Sequence, residues 1–470
     1  MEKLVTDIVV IGGGPAGMAA AIEAAKIGAN VTIVDEKAKP GGQIYKQFPK
    51  GFEINEMQLE KKYLDKDYLE GQRIIRELGT ISERINMLSS CMVWSIFPDK
   101  KVAIVQNEKN VIVACKKLII AEGVYERPMP FPGWTLPGVL TAGCAQTLVK
   151  TQRVLPGDKI LLSGSGPLQL VLANQLVKAG ARVQAVLEAS AMWGIKHLPP
   201  LLADFGILRE GLRHLYELRK LGVPFLTRHA ILEAQGEKEV TVARYAKLDK
   251  YWRPVAGTEK EMEVDTVCLG YGFISSIRLS QLCGCEHQYD QVLQCWIPKR
   301  SDQMETTSEG IFAVGDCAGI AGHLVAIEEG RIAGIRASQQ LKLIDDRNAN
   351  DKCRSIISRL NRLYRFETGL NKIFTVRPGL YSRLKDDTII CRCEEVTAGE
   401  IRSAVAATGR RVNLNEIKKM TRAGMGDCQG RMCMSSVAAM ISAMTELSVE
   451  SLGQMTCRAP VKPIPISAFV

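Results

Sequence analysis

The sequence predicts an α/β protein with two parallel-sheet units, one inserted in the other, and a small helical module carrying four cysteines. Two glycine-rich turns, Gly12-Gly13-Gly14-Pro15-Ala16-Gly17 and Gly164-Ser165-Gly166-Pro167-Leu168-Gln169, each follow an apolar strand pattern and open a helical one. Late in the chain stand two close cysteine pairs, Cys391/Cys393 and Cys428/Cys433. At 470 residues the chain is too long for one hydrophobic core, so two or three domains are expected.

The first unit opens with a strand over residues 5–11, the glycine turn, and a helix that runs to Lys26 and stops at Gly28. Residues 31–34 form the second strand, which ends at Asp35 and Glu36. Strand, GxGxxG, helix, strand and acid in this order make a Rossmann-type dinucleotide site. Gly12 permits the tight turn, Gly14 lets a pyrophosphate approach the backbone, and Gly17 lets helix and strand pack closely. Pro15 and Ala16 begin the helix, whose free N–H groups face the phosphates. Asp35 is placed to accept ribose hydroxyls.

The second unit repeats the plan. A strand over residues 159–162 leads into Gly164 and Gly166, a helix runs to Lys178, and a strand over 182–187 ends at Glu188. Glu188 suits the ribose hydroxyls of NAD and would repel the 2′-phosphate of NADP. Gln169 stands where the third glycine belongs, so this helix is expected farther from its strand. Three readings stay open: an NADH site, a site filled structurally by another adenine nucleotide, and a fold without ligand.

Ile389 and Ile390 suggest a short strand before Cys391. Thr397 and Glu400 form a capping box for a helix that ends near Gly409. A glycine-rich loop, residues 422–431, leads to a helix from about Met432 with Cys433 in its first turn. A helix N-terminus lowers a thiol pKa, and Arg392, Arg422 and Arg431 would do the same from nearby. Four thiolates can surround one small metal centre, but Cys-x-Cys with Cys-x4-Cys fits a zinc site poorly.

Composition bounds the function. The chain is 46% hydrophobic and 24% charged, as soluble globular proteins are. Its net charge is +10, but acids are interleaved with the bases, so nucleic acid is not expected as a partner. The densest basic stretch, residues 354–385, reads as a solvated linker face or a docking surface. No apolar run approaches the roughly 20 residues of a membrane span. Fourteen cysteines and no secretory signal lead us to expect a reducing, cytoplasmic setting. No acid, base or nucleophile constellation for substrate chemistry stands out, so the catalytic residues stay unassigned.

Several motifs carry a resemblance to known families. Gly41-Gly42-Gln43 and Gly310-Ile311-Phe312-Ala313-Val314-Gly315-Asp316 resemble the flavin loop and second FAD motif of the glutathione- and thioredoxin-reductase-like flavoproteins. The resemblance implies FAD at the first site, with Gly12, Gly14, Pro15, Ala16, Gly17, Asp35, Glu36, Gly42, Gln43, Gly315 and Asp316 around it. A helix from Leu324, with His323 at its mouth, would point at the flavin. Glu122 replaces the threonine of that family's Ala-Thr-Gly crossover, and no Cys-x-x-Cys supplies a redox disulfide.

The phrase from Cys391 to Cys433 resembles the bacterioferritin-associated-ferredoxin-like module, which implies a 2Fe-2S cluster on Cys391, Cys393, Cys428 and Cys433. Together with residues 126–139, the whole chain resembles the large flavoprotein subunits of multi-subunit amine and amino-acid dehydrogenases. These are the alpha subunits of hydroxyproline and proline dehydrogenases, the A subunits of opine oxidases and the B subunits of hydrogen cyanide synthases. The resemblance implies an electron-transfer subunit that serves an amine-oxidising flavoprotein beta subunit, with room for a small ferredoxin-like subunit. Two alternatives remain: an NADH-dependent reductase of an acceptor protein, and a non-catalytic scaffold or nucleotide-sensing subunit.

The expected domains are an FAD domain (1–135 and 265–345), a second nucleotide domain (136–264), a basic linker (346–385), a 2Fe-2S domain (386–445) and a tail (446–470).

Overall fold

The structure, a computed structural model, describes residues 2–47, 49, 66–191, 198–409 and 412–469. The chain divides into two compact units: Met1–Tyr125, Ile274–Thr368 and Cys457–Val470 form the first, Glu126–Phe273 and Gly369–Thr456 the second.

The first unit is built on a seven-stranded sheet. Glu2–Ile11 lies between Val31–Val34 and Lys109–Ile120, parallel to both. Ile311–Ala313 adds a further parallel strand beside Lys109–Ile120. Cys91–Phe97 and Lys101–Gln106 extend the sheet as an antiparallel meander that continues into Lys109–Ile120. Ile8, Val9, Val10 and Ile11 are all buried, as a parallel strand covered on both faces requires. The helices Pro15–Ile27 and Gly322–Gln340 pack together through small residues. A Cβ on Gly330 or Gly334 would collide with the carbonyl oxygen of Ala16 or Ala20, respectively.

The second unit holds a five-stranded parallel sheet in the order Phe225–Thr227, Arg182–Glu188, Lys159–Gly164, Thr266–Gly270, Val139–Thr141. A three-stranded antiparallel sheet, His229–Gln235, Val242–Lys247 and Lys260–Glu263, belongs to the same unit. The four-cysteine region supplies a short hairpin, Ile389–Cys391 with Val396–Thr397, and the helices Ala398–Thr408, Leu414–Thr421 and Met434–Thr445.

Within residues 346–385, expected as a basic linker, Asp346–Ile373 is one 28-residue helix. Ala349, Cys353, Ile356, Leu360, Leu363 and Phe366 are buried along it, three or four residues apart, and the arginines occupy the faces between. Residues 386–445, expected as the 2Fe-2S domain, fall within the second unit. Ile390, Ile401, Val437 and Ile441 share one core with Phe131, Trp134, Leu161 and Leu269. The Trp134 indole N–H donates to the Ile389 carbonyl at 2.6 Å. Of residues 446–470, expected as a C-terminal tail, Cys457–Val470 belongs to the first unit. Val461 is buried in the core that holds Ile11, Val34 and Ile120, and its N–H donates to the Trp94 carbonyl at 3.0 Å.

Candidate functional site

The first glycine turn sits at the carboxyl ends of Glu2–Ile11, Val31–Val34 and Lys109–Ile120, where open α/β sheets bind ligands. Gly12 takes φ +106°, and a side chain there would strike the Ala121 carbonyl. Gly17 rests so closely on the Gly12 carbonyl that no Cβ fits. Gly14 caps Pro15–Ile27 without any side-chain bond, and no acid stands in the first turn. The first-turn N–H groups and the positive helix end are therefore left for an anion.

The loop after the second strand is tied onto this turn. The Gly41 N–H donates to the Gly13 carbonyl at 2.8 Å, and Lys37 Nζ to the Gly42 carbonyl at 3.0 Å. A Cβ on Gly42 would lie 2.9 Å from Gly14 Cα, so the two loops touch backbone to backbone. Gln43 is exposed beside them. Asp35 accepts from the Gly13 N–H and, at 2.6 Å, from the Lys37 N–H. Burial raises its pKa against those bonds.

Gly315 and Asp316 reach the same crevice. A Cβ on Gly315 would sit 3.0 Å from Ala16 Cβ. Asp316 Oδ1 accepts the Ala321 and Gly322 N–H groups, both at 3.1 Å, and so sets the start of Gly322–Gln340. The helix thus begins two residues before the expected Leu324, and His323 stands in its first turn. His323 Nε2 lies 3.6 Å from Glu70, and its ring meets the Tyr45 ring edge-on. Behind the motif, Glu329 accepts the Gly315 N–H at 2.6 Å and a two-pronged pair from Arg300 at 2.6 and 2.8 Å. Tyr364 completes this buried network at 2.5 Å. The structure thus brings the glycine turn, Asp35, Gly42 and Gly315–Asp316 together, and Glu36 and Gln43 are exposed on the adjoining loop.

Glu122, the departure from the Ala-Thr-Gly crossover, has a buried carboxyl although the residue as a whole is partly exposed. Ser276 Oγ donates to one oxygen at 2.7 Å, and the other oxygen has no partner. Burial pushes its pKa up to about 7.

At the second site Gly166, at φ +126°, caps Pro167–Lys178, again without a side-chain bond. Gln169 is 1% exposed, and neither amide atom finds a partner. Its room comes from the missing side chains of Gly164 and Gly270, where a Cβ would lie 2.9 and 3.3 Å from it. Glu188 is turned inward. It accepts from Ser165 Oγ at 2.8 Å, the Gly166 N–H at 3.0 Å and the Ser190 N–H at 2.7 Å, and burial pushes it to about 7.

The four cysteines gather as two pairs, Cys391 with Cys433 and Cys393 with Cys428. Cys433 also feels the charges of the other three. The Cys433 hydrogen bond, helped by backbone N–H groups of Gly424, Glu394 and Cys393, lowers the Cys391 thiol to about 5. Among the described residues no group of three or more His, Cys, Asp or Glu converges on a single-ion site. Four thiolates are the donor set that a 2Fe-2S cluster would take. A Cβ on Gly426 would collide with Cys393, so the glycine loop closes tightly on the thiols. Cys433 is the N-cap of Met434–Thr445, one residue outside the helix rather than in its first turn.

The expected arginine assistance is redirected. Arg422 pairs with Glu394 at 2.7 Å, Arg431 Nε donates to the Cys428 carbonyl at 3.0 Å, and Arg392 lies over the Trp134 ring. The Cys433 hydrogen bond, followed by backbone N–H groups, lowers the Cys391 thiol instead. The capping box of Thr397 and Glu400 is present, with Gly409 after the helix. The helix Leu414–Thr421, capped by Asn413, was not legible.

Residues 6–333 match the family described as pyridine nucleotide-disulphide oxidoreductase, and residues 389–443 match the BFD-like [2Fe-2S] binding domain. The chain belongs to the pyridine nucleotide-disulphide oxidoreductase family. The opine oxidase A subunit of Agrobacterium tumefaciens (strain Ach5) is 34% identical, covering 98% of this chain and 90% of that one. Hydrogen cyanide synthase subunit HcnB of Pseudomonas aeruginosa (strain PAO1) is 35% identical, covering 98% and 97%. The crystal structure of L-proline dehydrogenase from P. horikoshii covers all of this chain and 80% of its own, with a TM-score of 0.70 at 19% identity, and so shares the fold. This member of the oxidoreductase family is a flavin-dependent oxidoreductase that carries a [2Fe-2S] domain. No described helix is long and apolar enough to cross a membrane.

Two features of this oxidoreductase gave no sequence signal. Lys462 pairs with Glu36 across 426 residues of chain. Glu367, in the long helix, lies near Asp316 and the start of Gly322–Gln340, and burial pushes it to about 8.

Proposed function

We propose that this chain is the electron-transfer subunit of an FAD-dependent amine or amino-acid dehydrogenase of the hydroxyproline, proline or opine type. A partner beta subunit would oxidise the CH–NH bond, and this chain would relay the electrons. The observation that carries the reading is the pairing of a flavoprotein crevice with a four-thiolate module on one chain. Its match along 98% of its length to two proteins named as subunits supports it. A flavin, when bound, takes electrons in pairs and releases them singly, which suits it to feed a one-electron cluster. The chain's own residues position and polarise: the uncapped helix Pro15–Ile27 faces the phosphates, Asp35 the ribose, and Asp316 holds the second motif. Cys391, Cys393, Cys428 and Cys433 would hold the 2Fe-2S cluster, and a small ferredoxin-like subunit would complete the assembly.

A second reading, an NADH-dependent reductase, is favoured by the uncapped helix behind Gly164 and Gly166. Gln169 opposes it, because its buried side chain stands where the third glycine of a dinucleotide turn belongs. Anaerobic mixing of the loaded chain with NADH decides between them. The proposal expects no rapid bleaching of flavin or cluster absorbance; rapid bleaching transfers the function to the second reading. The partner dependence has its own test. A chain that oxidises proline- or opine-like amines unaided at full rate refutes the subunit reading.

A further inference from the structure

The segment Cys457–Val470 returns to the first unit after the four-cysteine region has been completed in the second. It is anchored, not draped. Val461 is 3% exposed in the core that contains Ile11, Val34 and Ile120, the last residues of three strands whose carboxyl ends form the nucleotide crevice. Its N–H bonds the Trp94 carbonyl at 3.0 Å, and Phe469 packs edge-on against the Trp94 ring at 5.4 Å between centroids.

This anchoring presents the next residue, Lys462, to the crevice. Its ammonium pairs with Glu36, the neighbour of the ribose acid Asp35. It also lies within electrostatic reach of Glu122, whose buried carboxyl follows the strand Lys109–Ile120. The Lys462 side chain is 23% exposed, so its charge is only partly screened. The crevice carries Asp35, Glu36, Glu122 and Asp316, while a dinucleotide brings two further negative charges on its pyrophosphate. An ammonium has three N–H donors, and Glu36 occupies one.

We infer that Lys462 is a cofactor-binding residue of the first crevice. The segment Cys457–Val470 is a latch that completes the adenosine-pyrophosphate end of the FAD site. Lys462 cancels the Glu36 charge beside the phosphates and offers its remaining donors to the dinucleotide. This rests on the reading of the first crevice as an FAD site. It adds a binding residue that the glycine fingerprint and the second motif do not contain.

The test is FAD titration of the full-length apo chain by flavin fluorescence, at low and high salt, with melting of the apo chain alongside. The wild type is expected to bind one FAD with an affinity that falls as salt rises. Lys462→Ala should raise the Kd about three- to tenfold at low salt and flatten the salt dependence, with apo melting unchanged. Lys462→Arg should retain most of the affinity and the salt dependence. Unchanged Kd and salt dependence in Lys462→Ala overturns the inference, as does a Kd rise matched by a fall in apo melting with the salt dependence intact. A wild-type chain that takes up no FAD fails in a separate arm, where the FAD reading itself falls and the latch with it.

Discussion

At the scale of single residues, neighbouring side chains, backbone N–H groups and burial together set the chemistry. The Cys391 thiol reaches about 5 through Cys433 and three N–H groups, while the nearby arginines are engaged elsewhere. Cys428→Ser should therefore abolish iron binding and leave FAD content unchanged; iron and flavin assays on one preparation check both halves. Glu122 and Glu188 behave in the opposite sense. Their folded-state pKa is raised from 4.5 to about 7 by burial, so folding favours the protonated form. The stability each contributes is fully present below about pH 4.5 and is lost as the pH rises through about 7. The loss should be on the order of a few kcal/mol per group. Glu122→Gln keeps the shape without the titration. Its urea midpoint should fall less than that of the wild type as the pH is raised from acid to neutral.

At the scale of elements, small residues decide how closely the cofactor-facing helices approach. Pro15–Ile27 is held against Gly322–Gln340 because Gly330 and Gly334 leave the Ala16 and Ala20 carbonyls room. Gly330→Ala must push the helices apart and should destabilise the chain by about 1–3 kcal/mol. It should also weaken FAD binding if, as proposed, Pro15–Ile27 faces the phosphates; calorimetry and FAD titration of the variant check the two effects. Elements with local grammar were legible from the sequence. The fingerprint around Gly12, the capping box at Thr397 and the stop at Gly409 each lie within a few residues of their partners. Asp346–Ile373 reads as a linker because its arginines dominate the composition, although Cys353, Ile356, Leu360 and Leu363 already trace a helical stripe. At Gln169 the sequence shows only the bulk of the side chain. Its accommodation depends on Gly270, a residue on a strand about a hundred positions later.

At the scale of the whole molecule, neither unit is a continuous stretch of chain. The first consists of three segments and the second of two. Long-range pairings such as Lys462 with Glu36, or Trp134 with the Ile389 carbonyl, leave no trace in local pattern, which is why the domain ends are not legible there. Two units with separate cores should unfold in separable steps. FAD present at about 100 times its Kd should raise the stability of the first unit by about 2.7 kcal/mol. Calorimetry with and without FAD should then show one transition displaced upward and the other, carrying the four cysteines, nearly fixed.

The returning segment also fixes an order of events in the making of the protein. A ribosome adding roughly 5–20 residues per second delivers Lys462 about 20–90 seconds after the fingerprint at Pro15. Throughout that interval the nascent crevice lacks Val461 and the cation beside Glu36. The four cysteines are translated before Cys457–Val470. With Lys462 as a binding residue, flavin capture in its tight form would be a late event, and a nascent chain halted after Thr456 would hold Cys391, Cys393, Cys428 and Cys433 but an unfinished first crevice.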